Sequence, residues 1–151
     1  MIISMTRRRA SAIGVGALAA AWGLTADRAD AANDADDLVR QFTGNRSAQL
    51  GRIMLDLPEI AENGNTVPIA VKIDSPMTEQ SYVKDVLIVA EGNPRGGVVT
   101  FRFTPLSGSA EVNTRIRLAE SQNVVAIARM NDGSLYKASK HVKVTIGGCG
   151  G

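Results

Sequence analysis

The chain has 151 residues, 44 % of them hydrophobic, which suits one domain of ordinary size with a proper core. Its formal charge is +2, and the basic excess lies wholly ahead of residue 32, in Arg7, Arg8, Arg9 and Arg28 set against Asp27 and Asp30. The remainder carries equal numbers of acidic and basic side chains, which argues against nucleic acid as a partner.

Residues 1–31 read as an export signal. Arg7-Arg8-Arg9 precede an uncharged run, Ile13 to Leu24, and Ala29-Asp30-Ala31 offers the small-x-small pattern that signal peptidase accepts. The run is shorter than the roughly 20 apolar residues of a membrane span. Paired arginines with modest hydrophobicity point to the twin-arginine (Tat) route and a periplasmic product. Cleavage is expected after Ala31 or one residue later, leaving no membrane contact in the mature protein. Because that route moves folded proteins, a partner could travel on the same signal.

Residues 32–51 read as a short helix and a linker. Asn33 or Asp34 serves as cap, and Asp36 and Asp37 favour the first turn through the helix dipole. Leu38, Val39 and Phe42 form one apolar stripe, and Gly44 stops the helix. Such a helix suits a lid on the main core, and equally part of a partner surface.

From residue 52 to 146 the apolar period becomes two. Ile53, Leu55 and Leu57 alternate with polar neighbours, as do Val67 to Ile73, Val99 to Phe103, Val112 to Leu118, and Val142 to Ile146. Val86 to Ala90 and Val124 to Met130 are denser, as strands covered on both faces would be, which makes a partner physically reasonable. Pro58 through Gly64, Asp74-Ser75-Pro76, Gly92-Asn93-Pro94 and Pro105 through Gly108 punctuate the strands. Asn131-Asp132-Gly133-Ser134 is a hairpin signal. About seven strands without a long helix between them define an all-β fold, most simply an immunoglobulin-like β-sandwich. With one cysteine it has no internal disulfide, so the core rests on aliphatic packing with Phe42, Tyr82, Phe101, Phe103 and Tyr136.

The segment 147–151 is Gly147-Gly148-Cys149-Gly150-Gly151, and it holds the only cysteine. Glycine has no side chain to anchor it and visits both halves of the backbone map. The segment therefore reads as a flexible arm that presents a thiol. A catalytic cysteine is normally held beside a base that lowers its pKa, and glycines supply none. A carrier has other needs: an accessible nucleophile, a mobile tether, and activation left to partner enzymes. Two rival classes are a thiol-dependent redox protein and a structural dimer joined through a Cys149–Cys149 disulfide.

Other sites carry less. His141 has no Cys or His partner at metal-ligand spacing, and Asp34, Asp36 and Asp37 lack the glycine and closing glutamate of a calcium loop. No metal site is expected. Arg115 and Arg117 share a strand face that reads as solvated, and Glu59 and Glu62 fall in a loop between the first strands. Ser11, Ser75 and Ser107 have no nucleophile-elbow context.

The ending Val144-Thr145-Ile146-Gly147-Gly148-Cys149-Gly150-Gly151 resembles that of the SoxY family, the carrier subunits of the bacterial sulfur-oxidation (Sox) system. Leu57 through Pro68, Gly92-Asn93-Pro94 and Phe101-Arg102-Phe103-Thr104-Pro105 are also similar to that family. The resemblance implies that Cys149 is the covalent attachment point for sulfur intermediates, with Gly147, Gly148, Gly150 and Gly151 as its arm. It implies no resident cofactor and no catalysis by this chain. It also implies the Sox partners: a second sandwich subunit, SoxZ, as heterodimer partner; a haem-containing enzyme that conjugates thiosulfate; a hydrolase that releases sulfate; and a sulfur dehydrogenase.

Overall fold

In a computed structural model the described residues are 33–149. The expected signal, its arginines and its cleavage site lie outside them, as do Gly150 and Gly151. One helix, α1 (Ala35–Thr43), precedes nine strands among the described residues: β1 (Gln49–Leu50), β2 (Ile53–Asp56), β3 (Ile60–Asn63), β4 (Val67–Ile73), β5 (Val83–Ala90), β6 (Gly97–Arg102), β7 (Glu111–Ile116), β8 (Gln122–Met130) and β9 (Leu135–Ile146). A six-stranded sheet runs β1-β9-β8-β5-β6, with β3 added beside β9, and faces a three-stranded sheet, β2-β4-β7. This is the all-β, immunoglobulin-like sandwich that the alternation predicts.

The period-two strands fold this way because each has one face to bury. In β4, Val67, Ile69, Val71 and Ile73 point inward while Pro68 and Lys72 face out. They meet Val86, Ile88 and Ala90 of β5 and Val124, Ala126 and Ala128 of β8 in the core between the sheets. Each fully buried Val or Ile contributes about 1.5–3 kcal/mol relative to an exposed one. Tyr82, Phe101, Phe103 and Tyr136 are half-buried at the margin of this core, so its centre is wholly aliphatic.

The dense runs in β5 and β8 have a second apolar face, and α1 covers it. Leu87, Val89 and Val125 pack against Ala35, Leu38, Val39 and Phe42 in a second, smaller core. The helix is therefore a lid on the large sheet, and it covers the second apolar face of these strands. A polar clamp fixes the lid. Arg129 pairs with the carboxylate of Asp85, whose side chain is only 7 % exposed. Arg129 also donates to the Phe42 carbonyl at 3.3 Å and lies 4.7 Å over the Phe42 ring.

Three details differ from the alternation. Pro58 through Gly64, predicted as a loop, contains β3, and the 45–51 linker contains β1. Both are short and pair in parallel with β9, Ile60 opposite Lys143 and Gln49 opposite Tyr136. Parallel partners far apart in sequence leave no local hairpin signal. The last strand begins at Leu135 rather than near Val142, because Lys137, Ser139 and His141 on its outer face dilute the apolar pattern.

Candidate functional site

The longest strand, β9, ends at Ile146, and the chain beyond it runs into a corner built by two turns. The first turn, between β3 and β4, is Asn63-Gly64-Asn65-Thr66. Asn63 closes it by accepting the Asn65 amide on its side chain at 3.0 Å and the Thr66 amide on its carbonyl at 3.4 Å. The second lies between β7 and β8, and buried side chains shape it. Asn93 donates to the Arg117 carbonyl and accepts from the Ala119 amide and from the Gln122 side chain, each at 2.9 Å. Gln122 in turn accepts the Gly92 amide at 2.7 Å. Buried amide groups satisfied in this way set one geometry for the turn.

Backbone groups of the two turns and the arm then interlock. The Gly64 amide donates to the Ile146 carbonyl at 2.7 Å, the Leu118 amide donates to the Gly64 carbonyl at 2.8 Å, and the Gly148 amide donates to the Leu118 carbonyl at 2.9 Å. The Cys149 amide donates to Oδ1 of Asn65 at 3.0 Å. These approaches are possible only for glycine. A Cβ on Gly64 would overlap the Leu118 oxygen and stand 2.7 Å from the Gly148 nitrogen. One on Gly147 would overlap the Ala119 oxygen, and one on Gly148 would sit 2.7 Å from the Gly64 oxygen. Cys149 itself is a free, exposed thiol.

Of the candidate site residues, Cys149, Gly147 and Gly148 meet at this corner, where the Leu57–Pro68 and Gly92-Asn93-Pro94 stretches supply the first turn and Asn93. His141 lies exposed on β9, its Nδ1 3.1 Å from Oδ1 of Asn123. Arg115 donates to the Thr66 hydroxyl at 3.3 Å and Arg117 is exposed. Asp34 accepts the Gly96 amide at 2.6 Å, while Asp36 and Asp37 are exposed in the first helical turn. Glu59 and Glu62 are exposed, as expected. Among the described residues no group of three or more His, Cys, Asp and Glu side chains is arranged to hold a metal. Asn65 falls in the SoxY-like stretch Leu57–Pro68 and Leu118 at the end of an alternating strand, but the sequence assigns neither of them, nor Ala119, a role at the site. The Asn-Gly-Asn turn signature is visible in the chain, but its contact with a cysteine 84 residues away is not.

A β-sandwich that seats a glycine-rich segment at one corner and leaves a single thiol exposed there is a scaffold for presenting that thiol. The comparisons place it among proteins of sulfur metabolism. Residues 39–149 match the family described as sulfur oxidation protein SoxY, and the chain belongs to that family. The solved structure of the sulfur carrier protein SoxY from Chlorobium limicola f thiosulfatophilum is similar, at 32 % identity and a TM-score of 0.59, over 74 % of this chain and 96 % of that one. A superoxide reductase (neelaredoxin) from Ignicoccus hospitalis shares the fold at 20 % identity and a TM-score of 0.56, over 62 % of this chain and 80 % of that one. At that identity the likeness is one of architecture. No curated protein matches the chain.

Proposed function

We propose that this protein carries the sulfur intermediates of thiosulfate oxidation covalently on Cys149 and presents them to partner enzymes, without catalysing a step itself. The observation that carries the reading is the exposed lone thiol at the end of a match to SoxY that runs through residue 149. A haem-containing partner removes two electrons as the Cys149 thiol loses its proton and bonds to the outer sulfur of thiosulfate, giving a cysteine S-thiosulfonate. A hydrolase adds water across the terminal sulfur–sulfur bond, releasing sulfate and leaving a persulfide. A sulfur dehydrogenase then oxidises the outer sulfur with oxygen from water, and a second hydrolysis returns the thiol. Covalent retention keeps the reactive sulfur chain from diffusing away between these steps.

The partners follow from family membership: a Sox system, with SoxZ as the second subunit of a heterodimer. Residues 1–31 serve as a Tat signal, so the mature protein starts near Ala32 in the periplasm. N-terminal sequencing of periplasmic material that found Met1 would refute this.

The direct test reconstitutes thiosulfate-dependent electron transfer with the other Sox components. Cys149→Ser abolishes it, because the chain holds no second thiol to take over. Full turnover by the serine variant contradicts the carrier assignment.

A further inference from the structure

Glycine-rich arms are normally understood as free tethers, yet here Gly147 and Gly148 occupy positions where no other residue fits, and each contact is to backbone. The Gly148 amide bonds to the Leu118 carbonyl of the second turn, and the Gly64 amide of the first turn bonds to the Ile146 carbonyl at the base of the arm. The bond from the Cys149 amide to Asn65 is of another kind, because a side chain makes it and can be altered without disturbing the fold. Asn65 is exposed, lies beyond the end of β3, and its own amide is held by Asn63. Its side chain is thus aimed at the arm by a turn that is already closed.

We infer that Asn65 is the positioning residue of the carrier cysteine. It holds the Cys149 backbone in a docked state, and its release lets the arm swing from the corner. In the docked state the pivot for the thiol is Cys149 itself. Once the Gly148 and Cys149 bonds open, the pivot retreats to Ile146, and three residues of chain extend the thiol by about 10 Å at most. Docked, the cysteine is presented at one place beside the Asn63–Thr66 turn, suited to a partner that engages the sandwich. Released, it enters a deep active site.

The two states are closely balanced. Two hydrogen bonds at an exposed corner gain roughly what the backbone of two residues loses on being fixed. The docked state therefore leads by no more than about tenfold, the range in which a partner shifts the populations by binding one state better. This inference rests on the carrier reading for its purpose, but not for its test.

The test is site-resolved amide hydrogen exchange by NMR on the reduced, full mature chain, expressed as protection relative to intrinsic rates. In the wild type the Gly148 and Cys149 amides are protected. Asn65→Ala lowers protection at Cys149 by up to about fourfold, as loss of one such bond would, while amides of β8 and β9 keep theirs. Asn65→Asp, which retains an acceptor oxygen, restores protection. Gly64→Ala, whose Cβ overlaps the Leu118 oxygen, opens Gly148 and Cys149 together. Unprotected Cys149 in the wild type, or protection unchanged in Asn65→Ala, overturns the docking. Since no sulfur chemistry enters this measurement, that result leaves the carrier reading standing. Conversely, a protected Cys149 amide in a protein that never bears sulfur would sink the carrier reading alone.

Discussion

The interior of the sandwich and the corner that seats Cys149 are held together by different means. Between the sheets, side chains do the work: Val67, Ile88, Val124 and their neighbours exclude water, and their backbone bonds serve the ladders. At the corner the side chains are mostly missing. Gly64, Gly147 and Gly148 bring three backbone segments close enough to bond, and the buried pair Asn93 and Gln122 shapes the turn beneath them. One region is stable because it is apolar and thick. The other is ordered by a few hydrogen bonds near water, each worth about 0.5–1.5 kcal/mol net. A corner of that kind can open locally while the rest of the domain stays folded.

The largest stability effects therefore belong to the interior. Ile88→Ala, which removes a large side chain from the centre of the inter-sheet core, should cost about 2–5 kcal/mol in denaturant unfolding. Cys149→Ser should change the same measurement by less than about 0.5 kcal/mol, as an exposed site does. If the two variants lost stability equally, the thiol would be packed and the contrast between the regions would be false.

The clamp on α1 comes next. Arg129→Ala removes the close partner of a nearly buried Asp85 and leaves only Arg102, 3.7 Å away and largely exposed. Breaking a buried pair typically costs about 3–5 kcal/mol, and the partial exposure of Arg129 places this loss nearer 2 kcal/mol, below that of the core variant. Faster exchange of the α1 amides should accompany it. Unchanged α1 amides would mean that the apolar contacts alone hold the lid.

A smaller effect sits at the β8–β9 hairpin. The Ser134 hydroxyl, and then its amide, donate to Asp132 and hold its carboxyl below the usual 3.8. Because the folded value is the lower one, the unfolded chain takes up the proton first in acid. The contribution is complete above the ordinary carboxylate range and is lost as pH falls through the folded value. Asp132→Asn should thus lower the thermal midpoint slightly at neutral pH, and the gap should close in acid. A gap that widened in acid would reverse the assigned sign.

How much of this was legible beforehand follows the same division. The aliphatic interior is written in side chains with a period of two, so β2, β4 to β8 and the Asn131–Ser134 hairpin could be read directly, and the amphipathic stripe of α1 likewise. β1 and β3 could not, because their partner is a strand far away in sequence and their exposed residues, Leu50 and Ile60, alternate with nothing recognisable. At the site, Cys149 stood out as the only cysteine among glycines. The reason Gly147 and Gly148 are glycine was hidden. Backbone freedom and backbone crowding demand the same residue, and only the position of the Ala119 and Gly64 carbonyls tells them apart. The role of Asn65 was hidden for a related cause, since a turn asparagine is ordinary until the chain beyond β9 is found lying on it.

The central claim is that Cys149 is a covalent sulfur carrier, and the most direct measurement is intact and peptide mass spectrometry of the native protein, purified without reductant from cells oxidising thiosulfate. The account predicts added sulfur, as thiosulfonate or persulfide, on the peptide containing Cys149 and nowhere else, removed by dithiothreitol. An unmodified thiol throughout active oxidation, or a protein found only as its Cys149–Cys149 disulfide dimer, would contradict it.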